Sequence, residues 1–237
     1  MLIPLTIAAL LISGAYADTE KAIFLGPPTA NIPSTRPTLE DLHVATLTPD
    51  NWSIRTHLEA QFPNSSLPQG KPTWLILDEL SEGQRYEVRV CWAATQPTAF
   101  RLDTYELQTV FESPELISEL SEYSWSRQSV EDYHESRARL ASGNRDSKSG
   151  REASVLFLRI LAAADYYTMN KSLMVDVPPV YVDIILDPFV LNVLPRSLVP
   201  TVGYIIVVAI TSWFLARQIS TWVRQVAVEQ DSEKKMR

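Results

Sequence analysis

Apolar residues gather at the two ends of the chain and alternate with polar residues in between. Residues 1–17, MLIPLTIAALLISGAYA, are almost entirely apolar and end in the small-x-small triplet Ala15-Tyr16-Ala17. This pattern predicts a secretory signal peptide over residues 1–17, cleaved before Asp18. An uncleaved anchor or a buried helix is the alternative, but the stretch is short for a membrane span.

A second apolar stretch lies near the C-terminus. Residues 198–216 contain no charged side chain, and at about 1.5 Å per residue they approach the roughly 30 Å thickness of the hydrocarbon core. Tyr204 and Trp213 lie towards its two ends, where amphipathic rings favour the headgroup zone, and Arg196 and Arg217 flank it. We predict a transmembrane helix over 198–216. A buried core helix, the alternative, would normally show a polar stripe.

Charge and sequon placement predict a type I orientation, with residues 18–197 in the lumen and residues 217–237 in the cytosol. Acidic residues are in excess before the predicted span, whereas basic residues outnumber acidic ones after it. The positive-inside rule expects this asymmetry of a cytosolic tail. Three sequons precede the span, and in the lumen they would carry N-linked glycans on Asn51, Asn64 and Asn170.

The last four residues match a targeting signal. Lys234 and Lys235 occupy the fourth and third positions from the C-terminus, as in the dilysine signal that returns type I membrane proteins to the endoplasmic reticulum. Such a signal is read by a receptor and requires an exposed cytosolic tail. The alternative is a basic juxtamembrane tail that contacts anionic lipid. We predict a single-pass type I protein of the endoplasmic reticulum membrane.

Between the two ends, residues 85–92 show the clearest strand pattern. Apolar residues at every second position alternate with polar or weakly polar ones: Tyr86, Val88, Val90 and Trp92 against Arg85, Glu87, Arg89 and Cys91. This is the two-residue period of a sheet with one buried face. We expect the first set to face the core, so that Val90→Asp is severe and Arg89→Ser is mild.

The neighbouring residues indicate the type of sheet. Residues 74–77 are apolar and predict another strand, and Leu80 and Tyr86 are separated by a turn. This spacing resembles the tyrosine corner of fibronectin type III and immunoglobulin-like domains. We therefore predict a mainly β luminal domain over 18–197, a fibronectin-like or immunoglobulin-like sandwich, followed by one C-terminal transmembrane helix.

Weaker patterns complete the predicted domain. Residues 18–72 are rich in Pro and Thr, which favours a few short edge strands. Ser113 and Pro114 resemble a helix N-cap and first helical position, within a polar insertion over 112–151 that we expect to hold one or two short helices. Further strands are predicted over 100–111, 153–162, 173–177 and 180–186. The alanines of 153–167 also suit a helix.

Composition and motifs argue against chemistry of the chain's own. A net charge of -7 gives no basic footprint for nucleic acid, and one Cys permits no internal disulfide and no multi-thiolate zinc site. His43, His57 and His134 show no metal-binding spacing, and the sequence has no GxSxG, P-loop or GxGxxG motif. We predict no catalytic residue, no metal and no cofactor.

The approach to the predicted span stands out instead. Residues 187–200, DPFVLNVLPRSLVP, which we call the collar, are apolar but interrupted by three prolines. We expect them to fold as turns on the membrane surface. The span itself contains small residues suited to close helix packing; the alternative is a lone anchor that faces lipid. The candidate partner contacts are Asp187, Pro188, Phe189, Asn192, Pro195, Arg196, Pro200 and Gly203.

Taken together, the sequence RYEVRVCW, the collar, one span and the KKxx tail resemble the fungal co-activator subunit of the second GPI mannosyltransferase. The resemblance implies a non-catalytic subunit that supports a multi-span mannosyltransferase. That enzyme adds the second mannose to the GPI precursor in the lumen of the endoplasmic reticulum, using dolichol-phosphate mannose. The resemblance carries over no catalytic residue. It implies the catalytic subunit as a partner, and the predicted span adds membrane lipid as a second partner.

Other classes of function remain open from the residues alone. A luminal sandwich of this kind also suits a binding module, such as a cargo receptor, a chaperone or a partner of the first GPI mannosyltransferase. A luminal enzyme is disfavoured because no catalytic motif is present.

Overall fold

The chain forms two β-sheets followed by a long C-terminal helix. A computed structural model describes residues 17–32, 38–127 and 151–235, so residues 1–16 of the predicted signal peptide and residues 128–150 of the predicted insertion lie outside the described residues. The strands are β1 (Ala17–Leu25), β2 (Ala30–Ile32), β3 (Ala45–Leu47), β4 (Ser53–Leu58), β5 (Lys71–Leu80), β6 (Arg85–Ala93), β7 (Thr98–Glu106), β8 (Arg151–Ala164), β9 (Val180–Val190) and β10 (Leu194–Pro195). The helices are α1 (Leu107–Glu112), α2 (Pro114–Arg127), α3 (Lys171–Val175) and α4 (Val199–Lys235), with 3-10 helices at Leu39–Leu42 and Arg196–Leu198. The mainly β prediction is confirmed.

The two sheets each have a long central strand. In the first sheet β9 pairs with β6 on one side and with β4 and then β10 on the other, and β1 pairs with β6. In the second sheet β8 pairs with β5 on one side and with β7 and β2 on the other, and β3 extends the sheet beside β5. All pairs are antiparallel except β3 with β5.

The core between the sheets is built from alternate residues, as the two-residue period predicts. The predicted inward set of β6 is confirmed, since Tyr86, Val88, Val90 and Trp92 are at most 8% exposed. They pack in one buried cluster with residues of β5, β8 and β9. The tyrosine corner is also present, because the Tyr86 hydroxyl accepts a hydrogen bond from the Ser81 backbone N–H at 2.9 Å. This bond holds the turn in which the chain passes from β5 in the second sheet to β6 in the first.

The outer face of the second sheet is covered by α1 and α2. A second apolar cluster joins Trp74 and Phe157 on the sheet to Val110 and Leu120 on the helices. The predicted strand over 100–111 is therefore wrong in its second half, where the chain turns into α1 because this part must cover the sheet. The start of α2 is confirmed, since the helix begins at Pro114 and the Leu116 N–H donates to the Ser113 hydroxyl at 3.4 Å.

Strand β8 is almost continuously apolar because both of its faces are buried. Its residues from Ala153 to Ala164 are buried apart from Arg159, whose side chain is 16% exposed, because one face meets the first sheet and the other meets the helices. Of the two structures that the sequence allows for this segment, the strand is confirmed and the helix is wrong. The predicted strand at 173–177 is wrong. The Asn170 side chain accepts from the Ser172 N–H at 3.1 Å and caps the short helix α3 there instead.

The collar is more regular than the sequence predicts. Its first four residues continue β9, and only the stretch after them turns through β10 and a 3-10 helix into α4. Pro188 fits inside β9 because the Leu186 N–H, two residues earlier, points away from β6 to the Trp52 carbonyl. The Pro188 nitrogen therefore faces the same side, in the gap between β4 and β10, where no ladder bond is lost. Pro200 lies in the first turn of α4, where proline is tolerated.

Candidate functional site at the junction of sandwich and helix

The Asp187 carboxylate joins the sandwich to the start of the C-terminal helix. Asp187 lies near the end of β9 and is only 5% exposed. Both of its oxygens accept from the Ser197 backbone N–H at 3.3 Å. Ser197 is in the 3-10 helix that runs directly into α4. A carboxylate accepting the N–H groups at the start of a helical segment is a favourable arrangement, so β9 fixes where the helix begins.

A second nearly buried carboxylate faces the first. The register of β6 and β9 places Glu87 directly opposite Asp187, and both residues are 5% exposed. Two like charges opposite each other on one face destabilise a sheet unless cations compensate. Arg89 does so for both, with Nη1 at 3.4 Å from Glu87 and Nη2 at 3.8 Å from Asp187. Lys21 on β1 adds a contact at 3.3 Å to Glu87.

This network corrects one expectation from the sequence. Glu87 and Arg89 do face away from the core, as the alternation predicts, yet Glu87 is nearly buried and the Arg89 side chain is only 23% exposed. The outer face of β6 is therefore covered near the collar, and the predicted mildness of Arg89→Ser does not follow. No local sequence signal reveals this, because Glu87 and Asp187 meet only through strand register.

The β9–β10 hairpin is fastened to the turn between β5 and β6. Asn192 in its loop accepts from the Arg85 N–H at 2.8 Å and donates to the Gly83 carbonyl at 3.0 Å. The Gln84 side chain donates to the Phe189 carbonyl. The Arg85 guanidinium lies 5.8 Å from the centre of the Phe189 ring. The collar is therefore an ordered part of the sandwich and not a loose tether.

The eight candidate contact residues fall into two groups. Asp187 and Phe189 are nearly buried, Pro188 and Pro195 are half-buried, and Asn192 is exposed but bonded to the neighbouring turn. These five hold the collar in place. The other three, Arg196, Pro200 and Gly203, are exposed. A Cβ added to Gly203 would meet nothing within 4 Å.

A cleft beside the collar brings in residues that the sequence did not single out. It has a volume of about 410 Å³, and its lining includes Trp52, Arg89, Asp187 and Arg196. Trp52 is 52% exposed and lies in the loop before β4. The cleft sets an exposed aromatic ring beside the exposed Arg196 at the start of the helix. Such groups are enriched in protein interfaces.

The other predicted sites lie away from the collar or at the chain end. Asn51, Asn64 and Asn170 are all exposed. The side-chain oxygen of Asn64 accepts from the Ser66 N–H at 2.9 Å, and that of Asn170 caps α3. Glycosylation at the three sites stays a prediction. Lys234 and Lys235 are the last two residues of α4.

The C-terminal helix has the length and composition of a membrane span. The helical stretch Arg196–Arg224 has 29 residues and contains an 18-residue window with a mean hydropathy of 2.0, none of which is buried against the sandwich. It extends beyond the predicted 198–216 because the helix continues through the polar residues that follow. Within residues 17–32, 38–127 and 151–235, no cluster of His, Cys, Asp and Glu is arranged to hold a metal ion.

Comparison with known families bears on the resemblance drawn from RYEVRVCW and the collar. The family described as Pga1, GPI-Mannosyltransferase II co-activator, matches residues 11–219 of the 237-residue chain. The match includes the sandwich, the whole collar and the first part of α4. The chain matches no curated protein and no solved structure. Because the family match extends over most of the sequence, the chain belongs to the family of GPI-mannosyltransferase II co-activators.

Proposed function

We propose that this chain is a non-catalytic accessory subunit that holds the multi-span catalytic subunit of GPI mannosyltransferase II in a competent state. It does so through the collar and α4, without chemistry of its own. The family match supports the role as co-activator. The bond between Asp187 and Ser197 carries the proposed mechanism, because it makes the direction of the helix depend on the sandwich.

The energetics of the network support a positioning role. Keeping Glu87 and Asp187 nearly out of water costs desolvation energy, which is offset only when each carboxylate keeps its partners. A domain that merely hung from an anchor would need no such arrangement. Arg89 and the Ser197 N–H hold Asp187 in one geometry, so the sandwich and the helix present a single composite surface to the partner.

The exposed part of that surface is where we expect the catalytic subunit to bind. Arg196 and Trp52 line the cleft, and Pro200 and Gly203 follow on the first turns of α4. Gly203 allows another helix to approach closely. The Thr211 hydroxyl donates to the Val207 carbonyl at 2.8 Å within its own helix. Its proton is therefore already used, and we expect Thr211 to help a partner helix pack closely through its small size.

The proposed topology follows the sequence. A cleaved signal peptide places the sandwich in the lumen of the endoplasmic reticulum, α4 spans the membrane once, and the tail with Lys234 and Lys235 lies in the cytosol. The exposed Asn51, Asn64 and Asn170 are then available for glycosylation. Endoglycosidase H should shift the protein to a faster band. A tail protected from protease in intact microsomes would reverse this orientation.

Depletion of the chain tests the proposed function. GPI precursors with a single mannose should accumulate, and GPI-anchored proteins should fail to mature. Isolation of the tagged chain in mild detergent should yield one multi-span mannosyltransferase at a fixed ratio, whereas a cargo receptor would yield a changing set of proteins. Normal GPI precursors after depletion would rule out the proposal. So would a substitution such as Asp78→Asn that abolished activity while fold and complex stayed intact, because it would indicate an enzyme.

A further inference from the structure

The loop of the β9–β10 hairpin exposes apolar side chains to solvent. Leu191 is 90% exposed and Val193 is 77% exposed, and the adjacent Val190 is 43% exposed. The register pairs Val190 with Leu194, so residues 191–193 form the loop, which we call the tip. Two strongly exposed aliphatic residues within three positions form an apolar point with no covering element in the described part of the chain.

The backbone of the tip makes the leucine more unusual. Leu191 has φ 54° and Asn192 has φ 59°, both in the left-handed region. Asn tolerates this region, but the Cβ of other residues is crowded there. Of the described non-glycine residues with positive φ, which are His43, Glu79, Leu191 and Asn192, Leu191 is the one apolar residue. Its side chain gains no packing in exchange, since it is almost fully exposed. Strain of this kind is a pointer to function.

The tip is held rigidly. The Val193 N–H donates to the Val190 carbonyl at 3.1 Å, and the Asn192 side chain bonds to Arg85 and Gly83. Leu191 therefore cannot fold back onto the sandwich to hide its side chain. Its exposure is a fixed property of the hairpin.

The chain places the tip close to the membrane. Val193 precedes Leu198, the first residue of the uncharged stretch, by five positions, and five residues reach at most about 18 Å. The bond between Ser197 and Asp187 shortens this path by folding the chain back beside β9. Two exposed arginines are near the tip: Arg85, whose backbone N–H donates to Asn192, and Arg196, three residues after Val193.

We propose that the tip inserts its Leu191 and Val193 side chains into the interfacial layer of the lipid bilayer beside α4. This rests on α4 spanning the membrane, as in the proposed function. Contact with lipid removes the apolar side chain of Leu191 from water. The guanidinium groups of Arg85 and Arg196 lie near the phosphates of the headgroups. The sandwich then has two attachments to the bilayer, and it cannot rotate freely about the helix.

Site-specific fluorescence in vesicles tests the proposal with the chain alone. In a Cys91→Ser background, Leu191→Cys carries an NBD fluorophore, and the full-length protein is reconstituted into vesicles of phosphatidylcholine and phosphatidylinositol. Met169→Cys is the control, since Met169 is 86% exposed in the loop between β8 and α3 and comes before β9 in the chain, whereas the tip follows that strand. At position 191 the emission should shift to the blue, nitroxide-labelled lipid should quench it, and iodide in the water should not. At position 169 the reverse should hold.

A second variant separates membrane contact from folding. Leu191→Asn places a residue that tolerates positive φ at the strained position. The thermal midpoint of the full-length protein in detergent should stay equal or rise. With NBD at Val193→Cys, the variant should lose most of the quenching by nitroxide lipid. Unchanged lipid quenching in Leu191→Asn would overturn the role of Leu191.

The outcomes distinguish this inference from the proposed function. If alkaline carbonate releases the protein from vesicles, α4 does not span the membrane and both proposals fail. If the protein stays integral but position 191 is as open to iodide as position 169, the inference alone is wrong. Protection of position 191 that appears only after the catalytic subunit is added would likewise overturn it, because the occupant would be protein and not lipid.

Discussion

Glu87 and Asp187 are one hundred positions apart in the sequence yet lie directly opposite each other on β6 and β9, each only 5% exposed. Arg89 lies between them and contacts both carboxylates. Asp187 also accepts from the backbone N–H that begins the C-terminal helical segment. The start of the C-terminal helical segment is thus bonded to a charge network within the sandwich.

Removal of the shared cation should destabilise the protein. Arg89→Ser leaves two nearly buried carboxylates facing each other, with Lys21 near Glu87 only, and should lower the free energy of unfolding by about 3 kcal/mol. Arg101→Ser is the control, because Arg101 is 57% exposed and its partner Asp103 also pairs with Arg159. That change should cost less than about 1 kcal/mol. Urea unfolding of the full-length protein in detergent measures both, and equal effects would show that the network adds nothing.

The tyrosine corner should contribute measurably. Tyr86→Phe removes the hydroxyl that accepts from the Ser81 N–H at 2.9 Å, and loss of such a bond at a buried site should cost about 1–3 kcal/mol. Tyr181→Phe serves for comparison, since Tyr181 is 46% exposed. Its midpoint in a thermal scan should stay close to that of the wild type. An unchanged thermal midpoint in Tyr86→Phe would show that the tyrosine corner does not contribute to stability.

Two acidic groups that both pair with Arg159, Asp103 on β7 and Glu119 on α2, should give pH dependences of opposite sign. Burial raises the pKa of Glu119 above its usual value, and the charge of Arg159 and the bond from Trp74 oppose this only in part. Burial alone would raise the pKa of Asp103 too, but hydrogen bonds from Arg159 and Arg101 lower it overall. Stability from a raised pKa is lost as the pH rises through the folded value, and stability from a lowered pKa is lost as the pH falls through it.

The two groups can be separated by substitution. Stability is measured from about pH 3 to pH 8, a range in which carboxyl groups titrate. The stability of the wild type relative to Glu119→Gln should decrease as the pH rises. Relative to Asp103→Asn it should decrease as the pH falls. Differences of the same sign for both variants would contradict the assignment of the two pKa shifts.

Retrieval to the endoplasmic reticulum should depend on the chain end. If Lys234 and Lys235 are both changed to Ser, the coat receptor loses its target and the protein should reach later compartments, visible as processing of its glycans. The test requires cells that lack the catalytic subunit, because assembly also retains the protein. Unaltered residence in those cells would leave the two lysines without this role.

The sequence predicts local features well and long-range ones poorly. The strand over 85–92 could be predicted because one face is buried and the alternation is strict. The outer face of that strand could not, since Glu87 becomes buried only through its register with Asp187. At 173–177 the apolar residues suggest a strand, but the Asn170 cap favours a helix.

The same distinction holds for the candidate site. The prolines of the collar and its position before the span distinguish it in the sequence. Which of its residues hold the chain in place and which are exposed depends on contacts with distant turns. Asn192, for example, bonds to Arg85 and Gly83, and no spacing within the collar indicates this.

The bond that links the sandwich to the helix can be broken by a substitution at Asp187 or at Ser197. Asp187→Ala removes the acceptor of the Ser197 N–H and should reduce co-purification with the catalytic subunit. Asp183→Ala, on the same strand and face, removes only a pair with Arg55 and should leave the complex intact. Because Asp187→Ala also disturbs Arg89, its thermal midpoint must be measured alongside. Equal loss of the complex in both variants would contradict a specific role for Asp187.

The most direct measurement leaves every side chain of the sandwich in place. Ser197→Pro removes the N–H that Asp187 accepts, at a position in the first turn of a helical segment where proline is tolerated. Ser197→Ala keeps that N–H and removes only the hydroxyl. In cells where either variant replaces the wild type, Ser197→Pro should lose most of the co-purifying mannosyltransferase and accumulate single-mannose GPI precursors, while Ser197→Ala behaves as the wild type. Full recovery of the enzyme and normal precursors with Ser197→Pro would contradict the claim that the sandwich acts by directing the helix.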